Sequence, residues 1–297
     1  MRYRHIGVHP VSAAVGAEIS GIDISKMNDA TWNEIRHAFL EHLVIFFRDQ
    51  DITPEQQIAF ARRFGEIGYY PMVRGMEAHP EIVEVRKEPE EKENFGGVWH
   101  SDTSYLATPP LGAVLYAKDL PPTGGDTLWS NMHLAYNALS EGMRRLLDGL
   151  KAVSSSQKGA AAIGRQARHD EAPGESSGVL EAVHPVVRVH PETGRKSLYV
   201  NAGHTVRFEG MTEKESEPIL QFLFTHLIRP EYTCRFQWRT GSLAVWDNRC
   251  TQHYALNDYH GHRRVMHRIT IKGDVPKGVA RQAPGRRSSA SEDHSQS

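Results

Sequence analysis

Residues 232–274 read "YTCRFQWRTGSLAVWDNRCTQHYALNDYHGHRRVMHRITIKGD". Four runs within it, 232–238, 242–247, 252–257 and 263–274, are rich in β-branched and aromatic residues. Short segments carrying Gly or Asn separate them, the punctuation of successive strands. In the last run, alternation puts Arg264, Met266, Arg268 and Thr270 on one face and Val265, His267, Ile269 and Ile271 on the other. The second set suits packing beneath helices. The first carries two arginines inward if the strand belongs to a barrel, and buried arginines need anions. Spacing leaves open whether those anions are neighbouring Asp and Glu side chains or ligands.

Working outward, the same strand signals recur at 3–11, 17–25, 81–88, 111–120, 127–132, 182–190 and 195–201, the last two as a hairpin around "PETG". Residues 28–43 start with a capping candidate, Asn28 or Thr31, and place Trp32, Ile35, Phe39 and Leu43 at helical spacing before the apolar run "LVIFF". Thr53 followed by Pro54 opens a helix that stops before Gly65, and Thr212 with Glu215 forms a capping box at the head of another. Residues 132–150 read as one amphipathic helix. Many short strands with a few helices on one side predict a mainly β fold with flanking helices, a sandwich or jelly roll. Residues 154–182 are rich in Ser, Gly, Ala and charge, and are expected to form a mobile lid or insertion. The polar stretch 276–297 is expected to be a disordered tail.

The 297 residues carry a formal charge of −1, so no global field recruits nucleic acid or an anionic membrane. Cys234 and Cys250 are too few for a disulfide framework. With no signal-type apolar segment and no membrane-length run, a soluble cytoplasmic protein is expected. The phosphate-loop, dinucleotide and nucleophile-elbow patterns do not occur after any strand.

The chemistry-bearing stretch is "GGVWHSDTSY", residues 96–105. His100 and Asp102, at i and i+2 on an extended chain, point the same way. With His253, just after a strand, they make two imidazoles and one carboxylate, the facial set of non-haem Fe(II) oxygenases. The same residues also suit a zinc hydrolase, or a structural pairing in a non-catalytic binding protein.

The ordered motifs "WHSDTSY" (99–105), "TPP" (108–110), "GGDTLW" (124–129), "HPVVRVHPETGRKSLYVN" (184–201), "WDNRCTQHYALNDY" (246–259) and "RRVMHRITIKGD" (263–274) resemble the taurine dioxygenase family of Fe(II)/2-oxoglutarate-dependent dioxygenases. The resemblance spans residues 5–275 or so and implies a double-stranded β-helix, with 1–275 as a single dioxygenase domain. It implies Fe(II) ligated by His100, Asp102 and His253, with 2-oxoglutarate and O2 as co-substrates. Thr127 and Arg268 are expected to bind the distal carboxylate of 2-oxoglutarate, Trp246 to wall the iron pocket, and Arg264 to meet an anionic substrate. The family reaction couples decarboxylation of 2-oxoglutarate to hydroxylation of a small organic anion, and members are commonly dimers or tetramers.

Three positions depart from the taurine enzyme's pattern. Tyr70, in "FGEIGYYP", stands where that enzyme has a histidine, Val73 where it has a tyrosine, and Gly96, in "NFGGVWH", where it has an asparagine. These changes imply a substrate other than taurine, such as a bulkier sulfonate, alkyl sulfate ester or aryloxyalkanoate.

Overall fold

The computed structural model describes residues 3–159 and 178–279. The chain begins with β1 (Gly7–Pro10), β2 (Ala17–Ser20), α1 (Asp29–His42), β3 (Val44–Phe47), α2 (Pro54–Arg62), β4 (Ile67–Gly68) and β5 (Val83–Lys87). It continues through β6 (Gly112–Asp119), β7 (Thr127–Asn131), α3 (Met132–Asn137), α4 (Glu141–Leu147), β8 (Lys151–Ser155) and β9 (Glu181–Pro185). Then come β10 (Val187–Val189), β11 (Lys196–Leu198), β12 (Thr205–Phe208), α5 (Glu213–Leu227), β13 (Thr233–Phe236), β14 (Leu243–Asp247), β15 (Thr251–Ala255) and β16 (Arg264–Ile271).

Local chemistry sets the boundaries. Asn28, not Thr31, caps α1 by accepting from Thr31 N–H, and Leu43 closes it in a left-handed turn that feeds straight into β3. Thr53 with Gln56, and Thr212 with Glu215, form reciprocal capping boxes. The single helix expected over 132–150 is two. α3 ends near Ala138, and Ser140 caps α4 by accepting from Met143 N–H. Apolar spacing alone does not register a cap inside a periodic run.

The large sheet runs β1-β2-β3-β14-β6-β16-β4, with β5 also paired to β16. A three-stranded sheet, β13-β7-β15, packs against one of its faces. Between them lie Phe46, Trp246 and Met266 from one side and Trp129, Cys234 and Phe236 from the other. Phe46 and Phe236 stack at 4.0 Å. The opposite face offers Ile45, Phe47, Val245, Ile269 and Ile271 to α1 and α2. Both faces of the large sheet are therefore covered, which is why β3 and β14 read as continuous apolar runs. The architecture is a jelly roll, the double-stranded β-helix. The helices do not share one side: α3 and α5 build a separate cluster with β10, β11 and β12.

The ends of the expected lid are ordered. Ser154 and Ser155 pair with Ala182 and Glu181 in an antiparallel hairpin, β8 with β9. The remaining core of that segment, 160–177, lies outside the described residues, as does the tail from 280. The first residues of the expected tail are placed: Lys277 O accepts from Val189 N–H at 2.8 Å, and Gly278 bridges Arg188. No described helix is long and apolar enough to cross a membrane.

His133 supplies a stability switch within the α3 cluster. Its Nδ1 donates to the carbonyl of Lys196 at 2.7 Å, and burial, aided by Arg195 and His190, pushes its pKa down to about 4. The unfolded chain, with a pKa near 6.5, then binds the proton that the native state refuses, so stability falls as pH drops from about 6.5 toward 4. Between pH 7 and pH 5 the loss from this residue is expected to be about 2 kcal/mol. Urea titrations at both pH values should show it, and His133→Asn should flatten that difference.

Candidate active site

His100 and His253 face each other across a reciprocal pair of backbone bonds, His100 N–H to His253 O at 3.1 Å and His253 N–H to His100 O at 2.9 Å. Residues directly opposite in an antiparallel ladder present their side chains on one face, and the two rings lie 4.2 Å apart. Asp102 reaches them from a turn rather than from the extended chain expected: the chain bends at 102–105, with Thr103 in the left-handed region at φ 40°. Asp102 Oδ1 sits 3.6 Å from His100 Nε2 and 3.7 Å from His253 Nε2. All three residues are buried, with 7%, 2% and 6% of the surface of His100, Asp102 and His253 exposed.

The protonation states suit metal ligation. His100 Nδ1 lies 2.7 Å from the carbonyl of Val98, which can only accept, so Nδ1 carries the proton and Nε2 keeps its lone pair. Burial, with the neighbouring His100 and Arg268, holds His253 well below the usual histidine range and therefore neutral. Burial alone would raise the Asp102 carboxyl, but Arg268, His253 and His100 outweigh it and keep the group ionised. Trp246 Nε1 donates to Oδ2 of Asp102 at 3.1 Å, while Oδ1 faces the two histidines and Arg268. One carboxylate oxygen and two imidazole nitrogens, mutually within 4.8 Å, fit a divalent metal.

Beside this cluster opens a pocket. Gly96, Thr127, Trp246, Arg264 and Arg268 line it, together with Val85, Phe95, Leu115 and Trp129. The alternation in β16 thus delivers both arginines inward. Arg264 is buried with Nε and Nη2 unpartnered, between the rings of Trp238 and Tyr259 at 6.0 and 5.9 Å. Trp238 Nε1 donates to Thr127 Oγ1 at 3.0 Å, so Thr127 and Arg264 share one end of the pocket. Gly125 permits this, because a Cβ there would stand 3.1 Å from Arg264 Nε. Arg268 occupies the other end, with Nη2 2.8 Å from Asp102 Oδ1 and its guanidinium 5.7 Å from the Tyr70 ring.

The three departures fall in different places. Gly96 lines the pocket at φ +88°, where a Cβ would lie 3.4 Å from His100 Cε1. Tyr70 reaches Arg268 and packs edge-on against Phe95. Val73 is buried but does not line the pocket. Sequence reading passed over Trp129, although it lies two residues after Thr127 on one strand and so shares its face. Trp238 and Phe95 had no such signal.

His190, Asp247 and Cys250 form a second buried cluster with metal-like spacing. Asp247 is already matched by Arg249, at 2.8 Å from Nε and 2.6 Å from Nη2, and by His190 Nε2 at 3.0 Å. His190 Nδ1 accepts from Glu192 and Thr193 N–H groups, and burial pushes the Cys250 thiol well up, so no donor is left for a cation. This cluster braces the β14–β15 turn.

The family described as taurine catabolism dioxygenase TauD, TfdA matches residues 7–270. The chain belongs to this TauD/TfdA family. It is 36% identical to the alpha-ketoglutarate-dependent sulfate ester dioxygenase of Pseudomonas putida, covering 92% of both chains. To the (S)-phenoxypropionate/alpha-ketoglutarate-dioxygenase of Sphingobium herbicidovorans it is 34% identical, over 92% of this chain and 97% of the other. A crystal structure of a taurine dioxygenase from Burkholderia xenovorans superposes with a TM-score of 0.79 at 38% identity, covering 93% of each chain. Members of the TauD/TfdA family are 2-oxoglutarate-dependent dioxygenases, and this chain is an enzyme of that class.

Proposed function

We propose that His100, Asp102 and His253 hold Fe(II), and that the enzyme hydroxylates a small organic anion at the expense of 2-oxoglutarate and O2. The observation that carries this reading is a buried Arg264 with Nε and Nη2 unpartnered, lining the same pocket as His100 and His253 of the three-donor cluster. Buried guanidinium nitrogens without acceptors are costly, and a carboxylate ligand removes the cost.

The grouping of side chains favours an allocation of the arginines opposite to the sequence expectation. Arg264 with Thr127 would bind the distal carboxylate of 2-oxoglutarate, and Arg268, beside Tyr70, would meet the anionic group of the substrate. Charge-assisted bidentate bonds orient each anion. Bound Fe(II) would supply O2 activation, coupling decarboxylation of 2-oxoglutarate to succinate and CO2 with insertion of oxygen into a substrate C–H bond. Trp246 fixes the carboxylate of Asp102, and the indoles of Trp129 and Trp246 wall water from the site.

If the allocation holds, Arg264→Met raises KM for 2-oxoglutarate about 10- to 100-fold, the worth of a charged hydrogen bond, while Arg268→Met acts chiefly on the substrate KM. Succinate-release kinetics separate the two, and the opposite pattern restores the original allocation.

Gly96 keeps a side chain away from His100, and Phe95, against which Tyr70 packs edge-on, gives the pocket an aromatic wall. The proposed substrates are accordingly alkyl or aryl sulfate esters, sulfonates or aryloxyalkanoates larger than taurine. Sulfite release from taurine as fast as turnover of the best such anion would contradict this.

A further inference from the structure

We infer that Asn248 is a positioning residue that fixes the backbone of Asp102, and thereby the strength of the metal site. This rests on the metal reading above. Asn248 is fully buried, and its side chain grips both sides of one residue: Oδ1 accepts from Asp102 N–H at 2.7 Å, while Nδ2 lies 3.2 Å from the carbonyl of Asp102. The same Nδ2 donates to Pro110 O at 3.2 Å, and Asn248 N–H bonds Leu111 O at 2.9 Å.

The need for such a clamp is local. Asp102 comes from a turn, so no strand ladder holds it, and the next residue, Thr103, sits at φ 40° with its hydroxyl buried and unpartnered. A β-branched residue in that region persists only where its surroundings over-determine it. The end of β14 supplies that constraint twice. Trp246 orients the carboxylate from one position and Asn248 fixes the main chain from two positions on, while Asp247 and Arg249 between and beyond them lock the turn. Partners behind a metal ligand commonly set affinity by 10- to 100-fold.

The test measures Mn(II) dissociation constants of the folded protein from free-ion EPR, with Tm recorded for every variant. Asn248→Ala is expected to weaken Mn(II) binding about 10- to 100-fold. Raising Fe(II) to saturation should restore most of kcat. Ser197→Ala is the control, because the Ser197 hydroxyl serves the carbonyl of Arg249 in the same turn, at 3.2 Å, and does not bond Asp102. That control should lower Tm and leave Mn(II) affinity within about twofold of wild type. If Asn248→Ala does not fold, Asn248→Ser is judged by the same criterion. Wild-type affinity in the Asn248 variant, with binding lost in Asp102→Ala, overturns the role of Asn248 and spares the metal reading. Equal loss of affinity in Ser197→Ala also overturns it, since any damage to the turn would then suffice. Absence of Mn(II) binding by the wild type removes the metal reading and this inference together.

Discussion

Asp102→Ala is expected to leave no measurable turnover and to weaken divalent-metal binding by more than about 100-fold, beyond the range typical for partners behind a ligand. The residue is the one carboxylate donor of the cluster, and its loss leaves two imidazoles. A second consequence follows from Arg268, whose Nη2 lies 2.8 Å from Oδ1 in a buried setting. Removing one member of a buried ion pair strands the other charge, at a cost of about 3 kcal/mol or more. The variant should therefore be less stable even without metal, by urea titration. Arg268→Met should recover part of that loss when combined with Asp102→Ala, because the stranded charge goes with it. Full succinate production by Asp102→Ala would exclude the assigned site and favour a non-catalytic role for the triad.

Gly112→Ala should be the most damaging small substitution in the core. Gly112 starts β6, pairs with Asp247 of β14 and Ile271 of β16, and a Cβ built on it would lie 2.2 Å from the carbonyl oxygen of Trp246. That atom is main chain in the middle of the sheet, so no rotamer change relieves the contact. Overpacking of this kind costs about 3 kcal/mol, and more where backbone must shift. The shift would move the end of β14, which carries both Trp246 and Asn248 to Asp102. A Tm drop accompanied by weaker Mn(II) binding is the expected outcome. A Tm within a degree or two of wild type would contradict it, since β6 and β14 would then yield at this point without cost.

What could be read in advance follows from which interactions are periodic. The alternation in 264–271 correctly sent Arg264 and Arg268 inward, because β16 is covered on both faces and its register cannot slip without burying the wrong set. The three-donor cluster was legible because its members fall in recognisable motifs, although Asp102 arrives by a turn and not by simple alternation. Which arginine accompanies Thr127 was not legible. Both lie on one face of one strand, and only the position of Trp238, from the loop after β13, separates their ends of the pocket. The break between α3 and α4 was hidden for a related reason, since Leu139 still packs in the cluster while the backbone around it leaves the helix. Asn248 lies inside the 246–259 motif, but its role carried no signal, because an asparagine after a strand reads first as a turn residue. Its bonds to Asp102 span 146 positions in the chain.

The most direct test of the metal and co-substrate assignment is anaerobic. Fe(II) and then 2-oxoglutarate are added to the metal-free protein while the visible spectrum is recorded, with Asp102→Ala and Arg264→Met in parallel. A charge-transfer band that appears only when both are present, is absent from Asp102→Ala and needs more 2-oxoglutarate in Arg264→Met is the expected result. No band in the wild type, with hydrolysis of a sulfate ester sustained by Zn(II) in the absence of O2, would contradict the assignment.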